Sequence, residues 1–197
     1  MQRDKYKFLA ALLLAIEKNI LPKTIKGVSK GNKIFGGAVL LKSDLSVIVA
    51  ESNNEIKNPL LHGEINTLNS FFENRNRIKT SDLIFLSTHE PCSMCLSAIT
   101  WAGFDNIYYF FSHEDSKDEF NIPHDLKILK DVFNLDPGGY KKENTFWHCK
   151  SIISLVSTLK IEEKKMLQNR IFAIRERYKE LSERYQSTKE SNSIPLH

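Results

Sequence analysis

Leu61-His62-Gly63-Glu64-Ile65 and Glu90-Pro91-Cys92-Ser93-Met94-Cys95 are the stretches that decide how this chain is read. His62, Cys92 and Cys95 are metal ligands by type. Two thiolates and an imidazole suit Zn²⁺ and leave a fourth tetrahedral position open, which separates a catalytic site from a closed structural one. The Cys-x-x-Cys spacing lets both sulfurs face one ion from the first turn of a helix, and Pro91 suits such a turn. A helix N-terminus also favours the thiolate form. Glu64 follows His62 closely enough to serve a water at the ion without binding the ion itself. Rival readings exist for each part. A redox Cys-x-x-Cys pair has no need of His62 or Glu64. A structural zinc site wants a fourth protein ligand, for which Cys149 or His148 is available. Taken alone, Glu64 reads as a helix-start carboxylate complementing the dipole.

Outward from these motifs, apolar periodicity sets the elements. Phe8, Leu9, Leu12, Leu13 and Ile16 predict an amphipathic helix over 4–19, ended by Leu21-Pro22. Residues 23–33 read as a basic loop. Ile34–Leu41 and Val47–Ala50 read as strands joined by a turn, with Gly36-Gly37 marking a close backbone approach rather than a phosphate cradle. Residues 52–61 have loop composition. Helical spacing returns from His62 to Phe72. Leu83–Leu86 and Asn106–Phe111 read as strands, the Cys-x-x-Cys helix lying between them. Residues 112–125 look irregular; 125–134, stopped by Asp136-Pro137-Gly138-Gly139, and 144–159 look helical. The order suggests helices covering a sheet. Leu167, Ile171, Ile174, Tyr178, Leu181 and Tyr185 then form a heptad seam within 159–186, read as a helix packed on the body or on a second subunit. We divide the chain into a main domain at 1–158, a helical extension at 159–186 and a frayed, disordered tail at 187–197.

The composition narrows the function. The chain has 197 residues, a size that buries its own core, and 3 cysteines, too few for a disulfide scaffold. The net charge is +4, of which +3 lies in residues 151–197. The near-neutral body gives no broad footprint for a nucleic-acid backbone, so an RNA partner is not favoured. The run Phe8–Ile16 is too short to span a bilayer, and lacks a clear cleavage site. A cytoplasmic protein without a membrane partner is the expectation.

His-x-Glu followed by Pro-Cys-x-x-Cys resembles the signature of the cytidine/deoxycytidylate deaminase superfamily, over about residues 5–160. Leu61–Ile65, with Thr67-Leu68, looks like the cytosine deaminase branch. Asn58-Pro59 and Glu90–Cys95 look equally like the tRNA adenosine and guanine deaminase branch. The resemblance implies an α/β fold, a three-layer α/β/α sandwich around a five-stranded mixed sheet, with the C-terminal helix as an extension. It implies that Zn²⁺ is held by His62, Cys92 and Cys95. It implies hydrolytic deamination of a nucleobase or nucleoside by a water the metal acidifies, with Glu64 as the proton shuttle. For substrate contacts it offers Asn54, with Asn53 as rival, the Gly63 amide, Glu90 through its backbone carbonyl more than its side chain, and His124 in the segment that closes the pocket in relatives; His113, Phe120, Tyr140 and Trp147 are further candidates. Gly63 in place of the commoner alanine points to a cytosine-type substrate and hence pyrimidine metabolism. The alternatives are a purine deaminase, of guanine or of adenosine in tRNA, and a non-catalytic interaction module on the same fold. Relatives are commonly dimers, so a homodimer is expected.

Overall fold

The computed structural model describes residues 2–73, 78–135 and 139–196. A five-stranded mixed sheet lies between two helical layers. Its strands are β1 (Gly36–Leu41), β2 (Val47–Ser52), β3 (Leu83–His89), β4 (Asn106–Phe111) and β5 (His148–Ser151), in the order β2-β1-β3-β4-β5. β1 pairs antiparallel with β2 and β3; β3–β4 and β4–β5 are parallel. All seven residues of β3 are buried, as a strand covered on both faces must be.

One layer is built from α1 (Gln2–Ala15), α2 (Leu21–Val28), α7 (Ile152–Ser157) and α8 (Ile161–Thr188). Leu9, Leu13, Ile20, Leu86, Ile152, Ile174 and Tyr178 share its core. The other holds α3 (Gly63–Glu73) and α4 (Ser93–Trp101), whose Leu68, Phe71 and Ile99 pack with Phe85, Phe104 and Ile107. α5 (His113–Asp118) and α6 (His124–Asp131) follow β4.

Three elements differ from the sequence expectation. Leu21-Pro22 does not end the first helix. A π-helical turn, Ile16–Ile20, lets the Leu21 amide reach the Ile16 carbonyl, and Pro22 then falls in the first turn of α2, where a missing N–H costs little. The expected loop at 23–33 is therefore mostly helix. Residues 113–118 are helical because Ser112 and Asp115 form a reciprocal capping box. The expected helix at 144–159 is instead the edge strand β5 followed by α7, with Ser151 capping the helix through the Ser154 amide. Asp136, Pro137 and Gly138, read as a helix stop, lie outside the described residues.

The heptad seam faces this chain's own body. Leu167, Ile174, Tyr178, Leu181 and Tyr185 are buried, and Tyr178 packs edge-on against His89 and Phe111. Gln186 Nε2 donates to the Phe120 carbonyl, and Arg170 pairs with Glu17 of the π-helical turn. The segment beyond α8, expected to fray, follows the body instead. Asn192 Nδ2 donates to the Gly31 carbonyl, and Ile194 is buried. No helix among the described residues is long and apolar enough to cross a membrane.

Candidate metal centre and active site

Backbone contact fixes the start of α3. A Cβ on Gly63 would lie 2.4 Å from Gly36 Cα and 2.7 Å from Gly36 N, so α3 rests directly on β1. His62 is the residue just before this contact. Across from it, Cys92 caps α4 and Cys95 lies in its first turn, the Cys95 amide pointing at Cys92 Sγ from 3.5 Å.

The three side chains converge. His62 Nδ1 is 3.6 Å from Cys92 Sγ and 3.7 Å from Cys95 Sγ. Zn–S near 2.3 Å and Zn–N near 2.0–2.1 Å at tetrahedral angles require an S···N separation of about 3.6 Å. The donor set fits zinc by chemistry and by spacing. Among the described residues this is the one His/Cys/Asp/Glu group with metal-ligand geometry; Cys149 and His148 are not part of it, and all three thiols are free.

The electrostatics are those of a ligand set that exchanges protons for a cation. The Cys92 thiol is held well below its usual range, first by the Cys95 thiol and then by His62, against the opposing effect of burial. Burial pushes the Cys95 thiol up, with the neighbouring Cys92 and Glu64 adding to it. Burial works against charge on His62, but Cys92, Glu55 and Glu64 outweigh it and carry the imidazole up to about 9. Glu64 lies under this group, 3 % exposed, with Oε1 accepting from Ser87 Oγ at 2.7 Å. Burial and the charge of Cys92 raise its carboxyl above the usual range.

A cavity of about 360 Å³ opens against His62 and Cys92. Its wall includes Phe35, Leu60, Met94, Ile122, His124 and Asp125, with Ile194, Pro195 and Leu196 from the C-terminal segment. Of the expected substrate contacts only His124 lines it. Asn54 does not; its amide bonds the Leu61 carbonyl. The rival Asn53 is buried and turned inward, where Oδ1 accepts from the Gly63 amide at 2.5 Å and Nδ2 donates to Glu55 Oε2 at 2.7 Å. The Gly63 amide is thereby engaged within the protein rather than offered to a ligand. The Glu90 side chain turns away too, toward His113 and Lys142. Phe120 and Trp147 are core, the latter bonding Thr100 Oγ1 through Nε1. Tyr140 meets Cys149. Trp101, on α4, is 91 % exposed.

Sequence reasoning missed Lys33, Glu55 and Asp125, all in the cavity wall. Only Asp125 carried a signal, as the neighbour of His124. Burial and the Cys92 charge push its carboxyl up to about 8. Lys33 and Glu55 form a buried ion pair, Nζ to Oε1 at 2.8 Å. Glu55 Oε1 also faces His62 Nε2 at 3.7 Å.

The family model described as the cytidine and deoxycytidylate deaminase zinc-binding region matches residues 19–111, which include His62, Glu64, Cys92 and Cys95. Over that region the chain matches the cytidine/deoxycytidylate deaminase family. Its guanine deaminase relative from Bacillus subtilis (strain 168) is 29% identical over 102 residues, which cover 50% of this chain and 64% of that protein, so under two thirds of the relative is matched. The solved structure of a guanine deaminase from Nitrosomonas europaea aligns with a TM-score of 0.51 at 15% identity, over 85% of this chain and 81% of that one. That likeness is one of fold, and it covers the sheet and its helical layers.

Proposed function

We propose that this protein is a zinc-dependent hydrolytic deaminase of a purine base of the guanine type. The observation that carries the substrate class is the similarity to the B. subtilis guanine deaminase over 102 residues. The main argument for a cytosine-type substrate, and with it pyrimidine metabolism, has lost its footing. Gly63 is glycine because Gly36 leaves no room for a Cβ. Its amide, the expected contact for a pyrimidine carbonyl, is held by Asn53.

The residues divide the work as follows. His62, Cys92 and Cys95 would hold Zn²⁺, which when bound supplies the Lewis acidity that makes water a nucleophile near neutral pH. Glu64 takes a proton from the attacking water and passes it to the ring nitrogen beside the amine-bearing carbon, then takes the second proton from the hydroxyl newly bonded to that carbon and gives it to the departing amine as the carbonyl forms. Ser87 Oγ fixes Glu64 Oε1, which leaves Oε2 to carry the proton. The raised carboxyl suits a group that must both take and give one. Asp125 and His124 offer polar atoms to the edge of the base, while Phe35, Met94 and Ile128 supply apolar wall for its faces. The net reaction consumes water and releases ammonia, leaving a carbonyl where the amine stood.

The test is ammonia release by the zinc-loaded protein with guanine, adenine, cytosine, cytidine and adenosine, using Glu64→Gln as the background. Release from guanine, falling at least about 10³-fold in the variant with zinc retained, is the expected result. Release from cytosine alone overturns the purine assignment, and silence with every member overturns free-base deamination. We also propose that two copies associate. α8 is spent on its own body, so the contact falls to exposed apolar groups such as Phe72, Trp101 and Phe146. A monomer mass in sedimentation refutes this.

A further inference from the structure

We propose that Glu55 is a positioning residue for the metal ligand His62, with Lys33 as its buried counter-ion. The proposal rests on His62, Cys92 and Cys95 being the metal site. It adds a role for two residues that the metal-binding motifs do not contain.

Three observations carry it. His62 turns Nδ1 toward both cysteine sulfurs, so Nδ1 is the ligating atom. An imidazole that binds a metal through Nδ1 while neutral keeps its proton on Nε2. Nε2 faces Glu55 Oε1 at 3.7 Å, a gap that a shift of a few tenths of an ångström closes to a hydrogen bond. Second, Glu55 is fixed before it meets the histidine. Lys33 Nζ donates to Oε1 at 2.8 Å, and Oε2 accepts from Asn53 Nδ2 at 2.7 Å and from the Lys33 amide at 3.3 Å. Third, the same network holds the backbone beside the ligand, because Asn53 Oδ1 accepts from the Gly63 amide. Glu55 therefore reaches His62 from two sides, directly at the ring and through Asn53 at the next residue.

A carboxylate placed behind a metal-bound histidine fixes the ring's tautomer and orientation and raises its basicity. A carboxylate alone in this position would be costly, since Glu55 is buried. Lys33 neutralises it at Oε1, the same oxygen that faces the ring, and both charges lie in the wall of the cavity that ends at His62 and Cys92. The bland account is that Lys33 and Glu55 merely tie the chain before β1 to the loop after β2. That account predicts that removing both charges together leaves metal binding intact.

The experiment measures zinc affinity by chelator competition for the native chain, Glu55→Gln, and the charge-balanced double variant Lys33→Met/Glu55→Gln. Circular dichroism on the metal-free forms follows the fold. The second readout is the His62 Nε2–H signal in ¹⁵N-edited NMR of the zinc-loaded proteins. We expect zinc affinity to fall about 10- to 100-fold in both variants, and the Nε2–H signal to shift or exchange away. Native affinity in the double variant, with the His62 signal unmoved, overturns the proposal, and this holds even where the single variant fails to fold. A native chain that binds no stoichiometric zinc overturns the metal site itself, a distinct outcome from loss in the variants alone.

Discussion

Gly63→Ala is the substitution that separates a packing role for this glycine from a substrate role. The new Cβ would meet Gly36 Cα at 2.4 Å, Gly36 N at 2.7 Å and Gly36 C at 3.0 Å. Carbon atoms rest at about 3.5–4.0 Å, so α3 would have to lift from β1 by about 1 Å. All three opposing atoms are backbone of a strand paired on both edges, so no rotamer change relieves the clash. Overpacking of this kind costs about 1–3 kcal/mol, and the rigid partner argues for the upper end. Replacing glycine in a helix returns at most about 1 kcal/mol. The net expectation is a loss of about 2 kcal/mol. The assay is urea unfolding of the metal-free protein, with Gly139→Ala as control because nothing lies within 4 Å of its Cβ position. The midpoint should fall at unchanged slope for Gly63→Ala and stay put for the control. Zinc affinity should fall as well, since lifting α3 carries His62 away from Cys92 and Cys95. A midpoint at or above the native one would refute the backbone contact and return Gly63 to the list of substrate contacts.

Three further outcomes follow from the same geometry. At pH 7, His62 at about 9 and a Cys95 thiol raised well above 9 are both protonated in the metal-free protein, so zinc binding should expel about two protons. Calorimetry in buffers of different ionisation heat measures this, and apparent zinc affinity should rise with pH, less steeply once His62 has lost its proton above about 9; binding without proton release would contradict the ligand set. The Asp125 carboxyl, at about 8, lies above its ordinary value of 3.8, so the metal-free fold loses stability as pH rises between those values. Asp125→Asn should therefore match the native chain near pH 4 and exceed it by about 1–3 kcal/mol near pH 8; equal urea midpoints at both pH values would refute the burial argument. Tyr178→Ala should cost about 3–5 kcal/mol, because its ring fills the space beside His89 and Phe111. A smaller loss in thermal or urea unfolding would make α8 an appendage rather than part of the fold.

What could be read in the sequence was what chemistry or local periodicity dictates at short range. His62, Glu64, Cys92 and Cys95 were legible as candidates because a metal and a proton carrier demand fixed residue types at fixed spacing, and the structure brings the three candidate ligands to one point. Asn106–Phe111 was legible as a strand because it carries β-branched and aromatic residues, and Ile107, Tyr108 and Tyr109 pair on both sides. The misreadings have a common cause, which is that a distant partner decides the local outcome. Pro22 looks like a helix stop until a π-helical turn shifts the hydrogen-bond register ahead of it. The strand at His148–Ser151 exists because β4 offers an open edge, and four residues carry no period of their own.

The site shows the same rule more sharply. Asn53 and Asn54 are chemically alike in sequence, yet one is the strut between Glu55 and Gly63 and the other faces away from the cavity. Lys33 belongs to a basic stretch that reads as solvated, and only the fold shows that it meets Glu55 out of water. Gly63 was informative about a neighbour rather than about a ligand. Glycine there answers Gly36, two residues that come together only when α3 lies on β1. A glycine beside a metal ligand therefore carries no substrate information until the space around its missing Cβ is known. The substrate class has to be argued instead from the cavity wall and from the similarity to a guanine deaminase.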